Sequence, residues 1–219
     1  MAPDSYEPTP RTRVRRKPAR GGYDRELIHS ILDEAISCHV GFVDDSVPYV
    51  MPTIHARIED TLYLHGSKAS RMLKVLGEGV PCCVTATLVD GLVLARAALH
   101  HSLNYRSVVV LGTAEPVTEE EEKRAAFEAV VEHIIPGRTA EARAADAADL
   151  KATQIVRLRL DEVSAKVRTG PPVDERGDMD LPVWAGELPL RTVAGEPVPD
   201  PAGEVDVPVP GYVTGWTRL

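Results

Sequence analysis

A short stretch, H-G-S-K-A-S-R-M-L at residues 65–73, combines small turn-forming residues, hydroxyls and cations. Gly66 and Ser67 predict a turn and an N-cap, and the apolar residues that follow predict a short helix over residues 69–76. The start of such a helix binds phosphate well, because unpaired amides and the helix dipole converge there. Walker A and G-x-G-x-x-G patterns do not occur in the sequence, which argues against a P-loop or a Rossmann site.

The charges in this stretch favour a bound anion. Lys68 and Arg71 fall in the predicted first turn, where partial positive charge is already present and acidic residues are the stabilising choice. Arg71 follows Ser67 by about one turn, and Ser67 and Ser70 can donate hydroxyl hydrogens. A charge-assisted contact contributes ~1.5–3 kcal/mol, more than the ~0.3–1 kcal/mol that a misplaced cation costs. The alternative is a capped helix whose basic side chains extend into water.

A second stretch, L-H-H-S-L-N-Y-R-S at residues 99–107, places two histidines, an amide, a phenol and a guanidinium ahead of an apolar strand. His100 and His101 are adjacent, so in a strand they point to opposite faces and cannot hold one metal ion together. No cysteine or carboxylate stands at ligand spacing, and no metal site is predicted. The alternative to a binding role is a polar strand end in which Tyr105 packs and Arg106 forms a salt bridge.

Trp184, in L-P-V-W-A-G, is one of two tryptophans in a chain with 5% aromatic residues. Its context is typical of a loop, where a large flat side chain often covers a ligand or an interface. A plug over the end of a barrel is the alternative interpretation.

The elements that would position these residues are mostly strands. Asp24 caps a first helix with apolar residues at helical spacing. Further helices are predicted from Thr118 to Pro136 and over residues 140–153. The turn pair Asp90-Gly91 separates two of the predicted strands, which lie at residues 39–43, 47–58, 61–65, 80–88, 92–98, 106–117 and 155–160. Strands outnumber the crossover helices of a parallel sheet, so we expect a mainly β (α+β) fold, an antiparallel barrel with flanking helices.

Three segments are predicted along the chain. Residues 1–22 are rich in Pro, Arg and Gly without periodicity, and we expect a disordered basic arm. Residues 23–192 form the barrel domain. Residues 193–219 form a Pro-rich tail, extended or loosely wrapped.

The amino-acid composition limits which binding partners and which cellular compartment are expected. The net charge of -8 disfavours nucleic acid and anionic membrane as partners, and apolar runs are strand-sized instead of membrane-spanning. The N-terminus lacks the apolar core of a secretory signal. Three cysteines without C-x-x-C or metal-ligand spacing fit a reducing compartment. We therefore expect a cytoplasmic protein.

Six segments occur in an informative order: H-V-G-F-V, P-Y-V-M-P-T, L-Y-L-H-G-S-K-A-S-R, L-H-H-S-L-N-Y-R-S-V-V-V-L-G, S-A-K-V-R-T-G-P-P and L-P-V-W-A-G. By this order and spacing, the chain from Tyr23 to about Leu190 resembles the pyridoxamine 5'-phosphate oxidase-like proteins. The resemblance is greatest to their nitroimidazole-resistance-type, flavin-nucleotide-binding branch. It implies an FMN-binding split β-barrel and a homodimer with two FMN molecules at the subunit interface.

The resemblance also implies roles for individual residues. One strand would run along the isoalloxazine ring, the segment at residues 67–71 would hold the flavin phosphate, and the 104–106 segment would reach the cofactor, in part from the second subunit. The cofactor-binding residues expected are Val50, Met51, Pro52, Thr53, Ser67, Lys68, Ser70, Arg71, Asn104, Tyr105, Arg106 and Trp184. His65 matches a histidine near the flavin and the substrate, and His65 or Tyr105 could supply a proton as catalytic residues.

One departure from the family limits the substrate. True pyridoxamine phosphate oxidases carry a C-terminal Arg-x-His signature, whereas after Trp184 this chain has Arg191, in L-P-L-R-T, and Arg218, and it has no histidine beyond His133. Vitamin B6 oxidation is therefore not expected. The predicted function is an FMN-dependent oxidoreductase that passes electrons from NAD(P)H to a small acceptor. The alternatives are a flavin carrier or sensor without turnover, and a split barrel that binds haem, for which the pair His100–His101 is available, or the deazaflavin F420.

Overall fold

The computed structural model describes residues 4–205 and 207–217 of the chain. The strands are β1 (Gly21–Gly22), β2 (Cys38–Asp44), β3 (Val47–Thr53), β4 (His55–Ile58), β5 (Thr61–Ser67), β6 (Pro81–Leu94), β7 (Ser102–Thr113), β8 (Glu115–Pro116), β9 (Thr153–Arg159), β10 (Glu162–Arg168) and β11 (Gly186–Pro189). The helices are α1 (Arg25–Glu34), α2 (Arg71–Gly77), α3 (Glu120–Ile134), α4 (Ala147–Ala152) and α5 (Gly211–Thr214). Among the described residues, no helix is both long enough and apolar enough to cross a membrane.

Two antiparallel sheets form the body of the molecule. The larger sheet has the strand order β1-β10-β7-β6-β2-β3, and β11 also pairs with β6. The smaller sheet has the order β4-β5-β9-β8. Every strand pairing within the described residues is antiparallel. The predicted fold class, a mainly β (α+β) antiparallel barrel with flanking helices, is confirmed.

The main core lies where the two sheets meet α1 and α2. Both helices turn a fully apolar stripe inward, as expected for surface helices of a globular domain. The buried residues that they contribute are Ile28, Ile31, Leu32, Met72, Leu73, Val75 and Leu76. Asp24 caps α1 as predicted, because its side chain accepts a hydrogen bond from the Leu27 amide at 2.9 Å.

Strand β6 is one long strand, whereas the sequence predicted two strands joined by a turn at Asp90-Gly91. The register with β7 shifts between Val89 and Gly91, so a bulge stands where the turn was expected. A Cβ atom added to Gly91 would lie 3.0 Å from the carbonyl oxygen of Leu188. Glycine at this position therefore lets β11 approach β6 closely.

The helix predicted over residues 140–153 is shorter in the structure. Asp146 accepts hydrogen bonds from the amides of Ala148 and Asp149, and the Asp149 carboxylate accepts one from the Asp146 amide. This capping box starts α4 at Ala147. The preceding residues form only a short 3-10 turn at Arg138–Ala140.

The prediction of a disordered basic arm over residues 1–22 is wrong for residues 4–22; residues 1–3 lie outside the described residues. Tyr6 is 6% exposed, and its hydroxyl donates a hydrogen bond to the Asp60 carboxylate at 2.5 Å. Strand β1 pairs with β10 in the larger sheet. Long-range contacts of this kind offset the entropy lost on ordering the segment, and the local composition does not reveal them.

The C-terminal tail predicted over residues 193–219 is partly ordered. Residues 193–205 are exposed and contain no helix or strand. Beyond them α5 contacts the body, because the Tyr212 hydroxyl donates to Glu141 at 2.6 Å and accepts from Arg138 at 3.0 Å. Positions 206, 218 and 219 of the predicted tail lie outside the described residues.

Candidate functional site

The anion-binding stretch predicted at residues 65–73 runs from the end of β5 into α2. Ser70, and not Ser67, is the N-cap, because the Ser70 hydroxyl accepts a hydrogen bond from an amide of the first turn. Ser67 is still paired with β9 in the smaller sheet. Lys68 therefore lies in the connecting turn, and Arg71 occupies the first helical position.

Both cations of this stretch face solvent. Lys68 is exposed and forms no ion pair among the described residues. The Arg71 side chain is 58% exposed, and its Nε lies 3.6 Å from an Asp44 carboxylate oxygen. Its guanidinium carbon lies 4.9 Å from the centroid of the Tyr49 ring. An exposed ion pair at this distance contributes little, so both cations remain able to bind an anion from solvent.

Strand β3 lies beside this basic turn and forms an edge of the larger sheet. Arg71 stacks on Tyr49, which directly precedes Val50 in β3. Val50 is 70% exposed and Met51 is 38% exposed. As an edge strand, β3 keeps backbone groups that do not pair within its own sheet and can bind a flat polar ring. The structure thus brings the predicted ring-binding strand, Val50 to Thr53, close to the basic turn.

His65 is a neutral histidine of β5 that packs against α3. Its Nδ1 atom is buried and has no hydrogen-bond partner among the described residues. The ring lies edge-on to Phe127 of α3, with 6.1 Å between centroids. Burial lowers the pKa of His65 below its usual value of 6.5. An imidazole that is neutral at pH 7 can accept or donate a proton at a site nearby.

Asn104 and Arg106, both predicted to bind the cofactor, are engaged within this chain. Asn104 is buried, accepts a hydrogen bond from Arg168, and donates one to Glu187 at 2.5 Å. These bonds connect β7 to the end of β10 and to β11. Asn104 therefore positions neighbouring elements within the protomer.

Arg106 joins α1 to β6. Its guanidinium donates to both oxygens of Glu34 and to both oxygens of Asp90. These hydrogen bonds raise the pKa of Arg106 above its usual value, despite partial burial. The salt bridge that the sequence allowed as an alternative is the arrangement found, and the four hydrogen bonds commit the guanidinium to two carboxylates.

Tyr105 is half-buried and lies away from the basic turn within one protomer. It pairs with Val89 of β6, whereas β2 pairs with β6 near Cys83 to Thr85. Four to six residues along a strand span roughly 13–20 Å. One protomer by itself therefore does not place Tyr105 beside β3 or α2.

Trp184 is 68% exposed and does not plug the barrel. Its indole lies against Gly186 at the start of β11, where a Cβ atom would come within 2.8 Å of a ring carbon. The indole therefore stands on the surface of the larger sheet, where it can contact a ligand or another chain.

The two histidines ahead of β7 have different partners, although His100 ends a 3-10 turn and does not lie in a strand as the sequence suggested. His100 turns its Nε2 toward Glu175, 3.9 Å away. His101 is exposed, and its Nδ1 lies 3.1 Å from the carbonyl oxygen of Ala97. Asp174 holds the turn that carries both, and no motif in the sequence pointed to this residue.

Two of three comparisons with known proteins found matches for this chain. A family model described as pyridoxamine 5'-phosphate oxidase matches residues 24–167. A search of curated proteins found no match.

Solved structures similar to this chain over most of its length include two cofactor-binding proteins. The flavocytochrome Anf3 from Azotobacter vinelandii is 39% identical, with a TM-score of 0.90 over 98% of this chain and 100% of that chain. The FAD and haem binding protein from Mycobacterium smegmatis is 36% identical, with a TM-score of 0.86 over 91% and 98%. A protein from Bacteroides thetaiotaomicron, described as concerned with 5-nitroimidazole antibiotic resistance, is 26% identical, with a TM-score of 0.57 over 67% and 86%.

Proposed function

Because the chain belongs to the pyridoxamine 5'-phosphate oxidase family, we propose that it is a redox protein that binds a flavin and a haem. The observation that carries the proposal is the similarity to a flavocytochrome over nearly the whole of both chains. An FAD and haem binding protein, similar over most of its own length, supports the same pair of cofactors.

The chain's own residues fit a flavin nucleotide. The solvent-facing cations Lys68 and Arg71, with the hydroxyls of Ser67 and Ser70, would hold the phosphate next to the ribityl chain. The exposed edge of β3 would offer backbone groups to the ring. FMN and FAD share this phosphate, so FMN, expected from the sequence, and FAD, named for a relative, fit equally at this turn.

When bound, a flavin supplies hydride and electron transfer, and the protein supplies binding and orientation. In the proposed enzyme the electrons come from NAD(P)H and leave to a small acceptor. His65, whose lowered pKa leaves it neutral at pH 7, is a candidate to accept a proton from a bound group. Tyr105 is the second candidate for proton transfer, and it requires a partner chain to approach the ring proposed at β3.

A haem also fits the chemistry of this chain. Haem iron is commonly held by a histidine, and the chain carries histidines with a ring nitrogen exposed to solvent, among them His101. When bound, a haem supplies one-electron and oxygen chemistry. The histidines therefore give the chain a means to bind the second cofactor that its relatives' names report.

A homodimer in the cytoplasm completes the proposal. The exposed apolar side chains of β3 lie on a sheet edge that a second copy would cover, and dimerisation would let Asn104, Tyr105 and Trp184 of one chain approach the flavin of the other. Asn104 would act mainly by holding its own neighbours in place.

The experiment is to purify the full chain and record its absorption spectrum and the masses of its bound small molecules. We expect flavin bands and a Soret band, with the mass of FAD or FMN. Anaerobic NAD(P)H should then bleach the flavin bands rapidly in a stopped-flow instrument. Slow or absent bleaching would favour a flavin carrier over an enzyme. Protein that is colourless and binds neither added flavin nor hemin would refute the proposal. A bound molecule with the mass of F420 would show that the cofactor is a deazaflavin and not FMN or FAD.

A further inference from the structure

We propose that His101 would hold the haem iron through its Nε2 atom, on an exposed apolar face made by β7, β6 and β11. This inference rests on the proposed function and extends it, because it assigns the iron ligand and the surface that covers the porphyrin. A haem site that uses a histidine ligand needs a free ring nitrogen on that histidine and an apolar surface beside it.

The hydrogen bond of His101 sets which of its ring nitrogens is free. Nδ1 lies 3.1 Å from the carbonyl oxygen of Ala97. A carbonyl oxygen only accepts, so Nδ1 carries the hydrogen and Nε2 of the neutral ring keeps its lone pair. The residue is exposed, which leaves Nε2 open to solvent. Metal-binding histidines in proteins are usually oriented by such a bond from the other ring nitrogen.

The turn that provides this carbonyl group is itself held in place. The side chain of Asp174 is 1% exposed, and its carboxylate accepts hydrogen bonds from the amides of Arg96 at 3.0 Å and Ala97 at 3.4 Å. The Arg96 guanidinium also donates to it at 3.1 Å. The orientation of His101 is therefore preorganised by contacts that do not involve a ligand.

A row of three leucines lies on the same face as His101. Leu103 of β7 pairs with Leu92 of β6, and Leu92 pairs with Leu188 of β11. Directly opposed residues share a face, so these three side chains form a leucine platform; they are 42%, 36% and 51% exposed. His101 precedes Leu103 by two residues in extended backbone, so its side chain leaves the same face. Leu99, in the adjoining turn, is 86% exposed.

Trp184 borders the leucine platform. Gly186 pairs with Leu94, which lies two residues from Leu92 and therefore on the platform face. A Cβ atom on Gly186 would come within 2.8 Å of the Trp184 indole, so the indole occupies this face and needs glycine beneath it. The ring is 68% exposed and forms a flat aromatic border against which a porphyrin can pack.

The other histidines fit an iron less well. In four of them Nε2 already faces a protein oxygen: His29, His55, His100 and His133. The Nδ1 of His65 is buried, and His39 is exposed but has no ring hydrogen bond among the described residues that would set its tautomer. His39 and His65 are therefore the rivals that an experiment must separate from His101.

The test is a hemin titration of the full chain, with the Soret band and the iron-ligand bands as readouts. We expect His101→Ala to lower hemin affinity roughly 100-fold and to change the ligand bands. His100→Ala is the matched control, since its Nε2 faces Glu175, and it should bind hemin like the wild type. In His101→Gly, added imidazole should restore the wild-type spectrum by occupying the vacated ligand position.

A second variant tests the face independently of the ligand. Gly186→Val displaces the indole, and it should weaken hemin binding while leaving the iron-ligand bands unchanged. Gly195→Val is its control, because nothing lies within 4 Å of that position. If Gly186→Val binds hemin with the affinity of the wild type, Trp184 is not part of the haem site.

The outcomes separate this inference from the proposed function. If the wild type takes up hemin and His101→Ala keeps its affinity and spectrum, the ligand assignment is overturned and haem binding stands. Loss of the spectrum in His39→Ala or His65→Ala alone would move the ligand to that residue. A wild type that does not take up one hemin per chain would refute the haem part of the proposed function itself.

Discussion

Lys68 and Arg71 place two positive charges at the start of a helix that carries no acidic residue in its first turn. Each interacts unfavourably with the helix dipole, and Asp44 offsets only part of this through a long, exposed contact to Arg71. A phosphate bound beside them would attract both cations and the positive end of the helix dipole. The net electrostatic interaction at the start of α2 would then be favourable. The two residues therefore determine the affinity for the flavin in the proposed function.

We expect Lys68→Ala combined with Arg71→Ala to weaken flavin binding about 100-fold or more. Each lost charge-assisted contact is worth ~1.5–3 kcal/mol, and about 1.4 kcal/mol is a factor of ten in affinity. Titration with FAD and FMN, followed by flavin fluorescence, measures the effect. Lys74→Ala, a cation in the last turn of the same helix, is the control and should bind like the wild type. Unchanged affinity in the double variant would place the phosphate elsewhere.

Arg106 shows why a residue type alone does not establish a role. An arginine in a polar strand end fits a cofactor phosphate and a salt bridge equally well. In the structure the guanidinium of Arg106 forms salt bridges with two carboxylates of its own chain, Glu34 of α1 and Asp90 of β6. The two carboxylates are 72 and 16 residues distant in sequence, so only folding shows which alternative applies.

At the scale of elements, the N-terminal segment behaves as part of the domain. Asp60, at the turn after β4, receives hydrogen bonds from the side chains of Tyr6, Arg25 and His29. Burial by itself would raise the pKa of Asp60, but these bonds outweigh it and the pKa lies below its usual value of 3.8. The segment is thus attached to the body through an ionised carboxylate.

We expect Tyr6→Ala to lower the free energy of unfolding by about 3 kcal/mol, in the range for truncating a buried aromatic side chain. The change also removes the hydroxyl that Asp60 accepts from. Chemical denaturation at pH 7 measures the loss. Arg16→Ala, at an exposed position of the same segment, should leave stability within about 0.5 kcal/mol of the wild type. Equal stability of both variants would mean that the segment is dispensable for folding.

At the scale of the molecule, the larger sheet ends in a strand that a monomer protects poorly. Strand β3 exposes Val47, Val50 and Met51 beside its free edge. Pro48 and Pro52 interrupt the donors along this edge, as is usual for edge strands. A second copy of the chain would cover these apolar side chains, in agreement with the proposed homodimer.

We expect the wild type to have twice the mass of one chain in solution, and Val50→Lys to shift it toward a monomer. Val50 is 70% exposed, and a charge placed there would have to be desolvated in the proposed dimer contact. Light scattering coupled to size-exclusion chromatography measures both masses. Val198→Lys, at a 90% exposed position of the C-terminal segment, is the control and should keep the wild-type mass. A monomeric wild type would refute the proposed dimer.

The sequence by itself determined the first helix, the strand-rich fold class and the family of this protein. The Asp24 cap, the apolar spacing of α1, the strand-rich pattern and the order of six motifs are local or ordered signals, and the fold class and family that they predicted are confirmed. Only the tertiary structure decided the partners of Tyr6, Asn104 and Arg106, the bulge in β6 and the face shared by His101 and Trp184. Each of these depends on residues that are distant in the chain, and a local pattern of residue types contains no information about which distant partner it will meet.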